Sequence, residues 1–155
     1  MNEQKLQRFA LVAEIAGGVA VIVTLVILIF EVNANTRATK AATYDALVAD
    51  IANYRMEISR NEHLIEAEFI RRTEGMEALT PRQKHRREFS YSSLFLQFER
   101  AFIQWQAGNL DDEAWQRFHV SICRISSHPE FEGSVGRVID QMTTLSFQDY
   151  RKSAC

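Results

Sequence analysis

Four histidines and two cysteines are the side chains of this sequence best suited to metal or nucleophilic chemistry, and their spacing decides what they can do. A carboxylate-bridged di-iron bundle draws a Glu-x-x-His motif from each of two helices. The nearest local match is His63-x-x-Glu66, which is reversed. His119 falls near the Trp115/Ile122 face of its segment, where a partly buried core histidine is expected. Cys123 and Cys155 are 32 residues apart, which is neither a metal-ligand spacing nor a disulfide framework. Both are expected to be reduced. Cys123 has no adjacent histidine or cysteine to activate it as a nucleophile. No glycine-rich phosphate loop or nucleotide fingerprint occurs. The reading is therefore of a non-enzymatic protein with no catalytic residue, no metal ligand and no cofactor.

Three charged or patterned constellations remain. Arg82, Lys84, His85, Arg86 and Arg87 crowd the first turns of a helix, with no acid until Glu88. Cations there oppose the helix dipole. Arg82, Lys84, Arg86 and Arg87 are candidates to contact anionic lipid headgroups or an acidic partner; the plain alternative is a solvated patch balanced by Glu74, Glu77 and Glu88. Glu14 is the one charge in the apolar run Phe9 to Phe30. It either reaches the nearby headgroups or an interhelical contact, or it faces a pore between subunits. In the same run Ala10, Ala13, Gly17, Ala20 and Thr24 recur at spacings of 3 and 4. That small stripe lets a second helix approach closely in lipid, where packing drives association.

The elements that carry these groups follow from hydropathy. The Phe9–Phe30 run is 22 residues without proline; as a helix it spans roughly 33 Å, the thickness of a bilayer core. It is longer than the apolar core of a signal peptide, so an uncleaved single-pass anchor is expected even though Val32-Asn33-Ala34 would suit a cleavage site. The organisation expected is an N-terminal flank at 1–8, a transmembrane helix at 9–32 and a soluble helical domain at 33–155. Positive-inside counting sets Lys5 and Arg8 against Arg37 and Lys40, close to a tie. Arg55, Arg60, Arg71 and Arg72 farther on, and the absence of a glycosylation sequon, tilt the expected C-terminal domain toward the cytoplasm.

Beyond the anchor, every pattern is helical. No Gly or Pro interrupts residues 31–60, and Tyr44, Leu47, Ile51, Tyr54 and Ile58 form a narrow seam at 3 and 4. The anchor is expected to run on as one helix to about Ser59. Leu64, Ile65, Phe69 and Ile70 are the expected apolar side of a short helix over 62–73, where Glu68 can pair with Arg71 or Arg72. Thr80-Pro81-Arg82-Gln83 is a capping box that opens a helix to about Ala107. Its face is Tyr91, Phe95, Phe98, Phe102 and Trp105, joined by Phe89 and Leu94. Gly108-Asn109 ends it. Leu110 and Asp111 begin the next, with Trp115, Phe118, Ile122 and Ile125 buried. Ser126-Ser127-His128-Pro129 stops that helix. Phe131, Val135, Val138, Ile139 and Met142 mark another, and Phe147 and Tyr150 a last turn beginning near Ser146. The fold class is all-α: a long membrane-rooted helix packed with three or four antiparallel ones.

The formal charge of −2 gives no polyelectrolyte signal, so nucleic acid is not an expected partner. Glu14-x-x-Gly17-Gly18-x-Ala20-Val21, then Asn35-Thr36-Arg37-Ala38, and later Phe98-Glu99, Gln104, Gly108-Asn109-Leu110-Asp111 and Trp115 resemble a group of small membrane proteins frequent in proteobacteria. These have one N-terminal transmembrane helix and carry no assigned activity. The last third departs from the group's paired tryptophans after Pro-Gly, with Pro129-Glu130 and Phe131 instead. The resemblance implies a bacterial inner-membrane location and this architecture. Three functions follow as expectations: a membrane-anchored homo-oligomer or accessory subunit of a membrane complex, with lipids and itself or another membrane protein as partners; a homo-oligomeric channel with Glu14 at the pore; or a tethered helical small-molecule binder or enzyme.

Overall fold

The computed structural model describes residues 3–128, 131 and 133–155, and the side chains of all of these except 3–6, 9 and 10. Among them there are six α-helices, one 3-10 turn and no strand. Helix α1 runs without interruption from Glu3 to Arg60, one residue past the end expected from sequence. The Asn33–Thr36 stretch does not break it, and Thr36 Oγ1 donates to the Val32 carbonyl at 2.9 Å.

The chain divides into two compact units, residues 1–39 and 40–155. The sequence boundary at 32/33 marks a change in polarity. The structural one falls where side chains first reach another element, as Lys40 Nζ meets Asp111 at 2.5 Å.

Unit one is a single helix. Every large apolar side chain from Leu11 to Val32 is 46–69 % exposed. By length and composition this helix can cross a membrane, and nothing in the unit covers it.

Unit two is organised by α3 (Pro81–Gln106), which contacts α2 (Glu62–Glu74), α4 (Asp112–Ser126) and α5 (Ser134–Met142), while α6 (Leu145–Ala154) lies on α4. The capping box forms as the sequence implies. Gln83 N donates to Thr80 Oγ1 at 3.3 Å, and Thr80 N donates to Gln83 Oε1 at 2.9 Å. Asn61 caps α2. Gly108 ends α3 with φ +74, a left-handed backbone that favours glycine.

The aromatic stripe is the core. Phe95, Phe98 and Phe102 are buried with Leu110, Trp115, Phe118, Ile122, Ile139 and Phe147, and Leu47 of α1 joins them. Tyr44, Ile51 and Tyr54 of the 44–58 seam are partly buried against this core. Burying Glu99 would be costly alone, but its carboxylate accepts from Thr144 N at 2.5 Å, at the positive end of α6. Gly136 is required for space: a Cβ there would lie 2.1 Å from the Phe131 carbonyl oxygen.

Four apolar assignments change. Phe89, Phe69, Ile65 and Met142 are 56, 65, 48 and 44 % exposed rather than core. In α2 the buried face passes instead through Ala67, flanked by half-buried Leu64 and Ile70.

Candidate functional site

Two places in unit two gather polar chemistry around an apolar surface. The first is a groove of about 590 Å³ between α1 and α4, floored by α3. From α1 come Tyr44, Val48, Ile51, Ala52 and Arg55, and from α4 come Arg117, Phe118, Ser121, Arg124 and Ile125. Helical spacing explains both sets. Residues at 4, 3 and 4 fall on one face of a helix, so Arg117, Ser121 and Arg124 line up along α4. Leu94 and Phe98 of α3, one turn apart, form the floor.

Among the described residues, no Asp or Glu lines this groove. Arg117 Nη1 donates to Tyr44 Oη at 2.8 Å, which fixes one guanidinium at the rim. Among the described residues, Arg55, Arg117 and Arg124 make no ion pair. Tyr54, also on the lining, shares a 2.8 Å hydrogen bond with Ser90 Oγ. Burial pushes its phenol pKa up against the lowering effect of that bond. A second cavity of about 650 Å³ between α1 and α3 differs in kind, since Asp50 and Glu57 line it beside Arg86.

The second place is the contact of α4 with α6. Cys123 and Cys155 are bonded there, Sγ to Sγ at 2.09 Å with Cα atoms 4.9 Å apart. This corrects the expectation of two reduced cysteines. The pair is distant in sequence, but the turn back through α5 and α6 returns Cys155 to α4. His119 lies one helical turn from Cys123, with Nδ1 3.6 Å from its Sγ. That i, i+4 spacing was the signal available in the sequence. Tyr150 Oη holds His119 Nδ1 at 2.8 Å and accepts from Trp115 Nε1 at 3.2 Å. The three potential ligand atoms lie within 4.8 Å of one another. With both sulfurs in the disulfide, neither is the thiolate that metal binding or nucleophilic attack requires.

The basic cluster divides. Arg82 is exposed and Arg86 half-buried, while Lys84 Nζ stands 3.6 Å from Glu77. Arg87 is a correction: it is 4 % exposed and turned inward. One guanidinium nitrogen lies 3.4 Å from Glu68 Oε2, another 2.7 Å from Met76 Sδ, and the group stands 5.4 Å from the Tyr91 ring centre. It cannot reach a lipid headgroup. Glu68 also accepts from Arg71 and Arg72 at 2.7 and 2.8 Å. Burial alone would raise the Glu68 pKa, but hydrogen bonds from Arg71 and Arg72, with the charges of Arg71 and Arg87, outweigh it and hold the pKa at about 2. In the last turn of α5, Asp140 is likewise held low: burial raises it, and Lys152 and Arg151 of α6 together more than offset that.

In unit one, Glu14, Ala13, Gly17, Ala20 and Thr24 are all exposed, and Thr24 Oγ1 is satisfied by the Ala20 carbonyl at 2.9 Å. The side chain of Ala10 lies outside the described residues, as do Pro129 and Glu130.

No protein-family model matches the chain, and it matches neither a curated protein nor a solved structure.

Proposed function

We propose that this chain is a non-enzymatic single-pass protein of a bacterial inner membrane, which holds a helical unit at the membrane and associates with itself or with another membrane protein. One observation carries the reading. The apolar side chains from Leu11 to Val32 are exposed along the whole of their helix. Leaving that much apolar surface in water is costly, at about 25 cal/mol per Å²; lipid and a second helix are the surroundings that remove the cost. The stripe Ala13, Gly17, Ala20 and Thr24 supports a helix as part of that surrounding. Added Cβ atoms at Gly17 and Gly18 would meet nothing within 4 Å, so the face is open to close approach.

The disulfide bears on sidedness. A bond between Cys123 and Cys155 suits an oxidising compartment. With the flanking charges tied, it favours the extracytoplasmic face for the C-terminal unit over the cytoplasmic placement read from the sequence.

Native mass spectrometry of the membrane-extracted particle tests association. Several copies, or one copy with another membrane protein, is the expected result; a bare monomer removes the reading. A membrane-impermeant maleimide tests sidedness in intact cells. Labelling of Cys123 and Cys155 only after reduction is expected, and labelling that requires lysis returns the unit to the cytoplasm. A channel reading draws on Glu14, an exposed carboxylate within the apolar run. It predicts ion flux in liposomes that Glu14→Gln alters, and unchanged flux removes it.

A further inference from the structure

We propose that the groove between α1 and α4 binds a single-chain amphiphilic anion of the fatty-acid kind. The volume of about 590 Å³ is that of a small-molecule site. Its interior is Val48, Ile51, Leu94, Phe98, Phe118 and Ile125, which suit an alkyl chain and offer it no hydrogen bond. Its rim holds three guanidiniums and, among the described residues, no carboxylate. An uncharged apolar ligand would leave Arg55, Arg117 and Arg124 unused, and a cation would be repelled by all three. A carboxylate fits the planar donor fork of arginine in two-point contact.

Charge complementarity is the deciding argument. Where arginines of unit two are drawn into the fold, the protein supplies the acid: Glu68 for Arg71, Arg72 and Arg87, Asp50 for Arg100, and Asp140 for Arg151 and Lys152. At the groove, the described residues supply none. Arg117 is held in place by a neutral phenol, Tyr44, which orients the guanidinium and leaves its charge uncompensated.

The test is photolabelling of the full chain in nanodiscs of zwitterionic lipid with a diazirine-bearing fatty acid, followed by peptide mapping. Expected labels fall on residues 44–55 and 117–125. The methyl ester of the same probe, which keeps the tail and loses the charge, should label these residues about tenfold less. The combined variant Arg55→Gln, Arg117→Gln, Arg124→Gln should show the same loss, with labelling of residues 11–32 unchanged as the internal reference. Arg82→Gln with Arg86→Gln, outside the groove, should label like the wild type. Equal labelling by acid and ester, or by wild type and the triple variant, overturns the proposal. So does a loss in the Arg82/Arg86 variant equal to that in the triple variant, which would mean general surface charge. Labels confined to residues 11–32 also overturn it, whether an acidic protein partner covers the groove or nothing enters.

Discussion

Around Glu68, three arginines converge on one carboxylate; around the α1–α4 groove, three arginines stand with none among the described residues. The residue type is the same and the surroundings are opposite. At Glu68 the cations close an internal circuit that joins α2 to α3, and Arg87 is buried to do so. A charge taken out of water needs a partner of opposite sign, and the chain provides it. At the groove the guanidiniums stay exposed, where water solvates them, and they are not needed to hold helices together. The first arrangement belongs to folding and the second is available to a ligand. Charge count alone does not separate them; the nearest acid does.

Breaking the internal circuit gives the largest effect on stability. Glu68→Gln leaves Arg87 without the carboxylate it faces and should lower unfolding free energy by about 2 kcal/mol, below the range for a fully buried pair because Glu68 is one-third exposed. Thermal denaturation monitored by circular dichroism checks this, and an unchanged midpoint would remove the distinction between the two arginine groups.

Acid sharpens the comparison. A carboxyl held at about 2 in the fold and near 4.5 when unfolded contributes fully above pH 4.5, and that contribution is lost as pH falls toward 2. The stability gap between wild type and Glu68→Gln should therefore be constant near neutrality and close across that window. A gap that persists at pH 2 would mean the Gln variant is destabilised by something other than charge.

Next in size is the groove. Arg55→Gln, Arg117→Gln and Arg124→Gln should each shift stability by less than about 0.5 kcal/mol, since none is buried or ion-paired. A drop of the Glu68 size at any of them would make it structural. Of the same small size is Arg72→Ala: its side chain is 72 % exposed, and an exposed i, i+4 pair is worth about 0.3–0.5 kcal/mol. Raising salt should erase the Arg72 contribution before it affects that of Arg87.

Local signals in the sequence translated directly into structure. Thr80-Pro81-Arg82-Gln83 specifies a cap because its partners are three residues apart. The unbroken run from 31 to 60 continues the apolar N-terminal helix because nothing in it stops one. The stripe from Tyr91 to Trp105 became core because its spacing keeps it on one face. Arg87 was missed although the signal was present: it stands one turn before Tyr91, in register with that stripe, and sequence proximity to Arg86 concealed it. Phe69 and Phe89 were misplaced because hydrophobic type alone does not say which flank of a helix meets a neighbour. The groove and the disulfide were out of reach for a different reason. Each joins segments far apart in the chain, 44–55 with 117–125 and 123 with 155, and no local period encodes which distant face arrives opposite.

The Cys123–Cys155 bond has a mechanical consequence. It makes residues 123–155 a covalent ring containing α5 and α6. Tension entering that ring at Cys123 and leaving at Cys155 passes through the sulfur bridge and not along the helices between them. α5 and α6 would bear no load, and the ring would lengthen by no more than the bridge allows. Under a pull along the chain, α2 and α3 would yield while α5 and α6 kept their length.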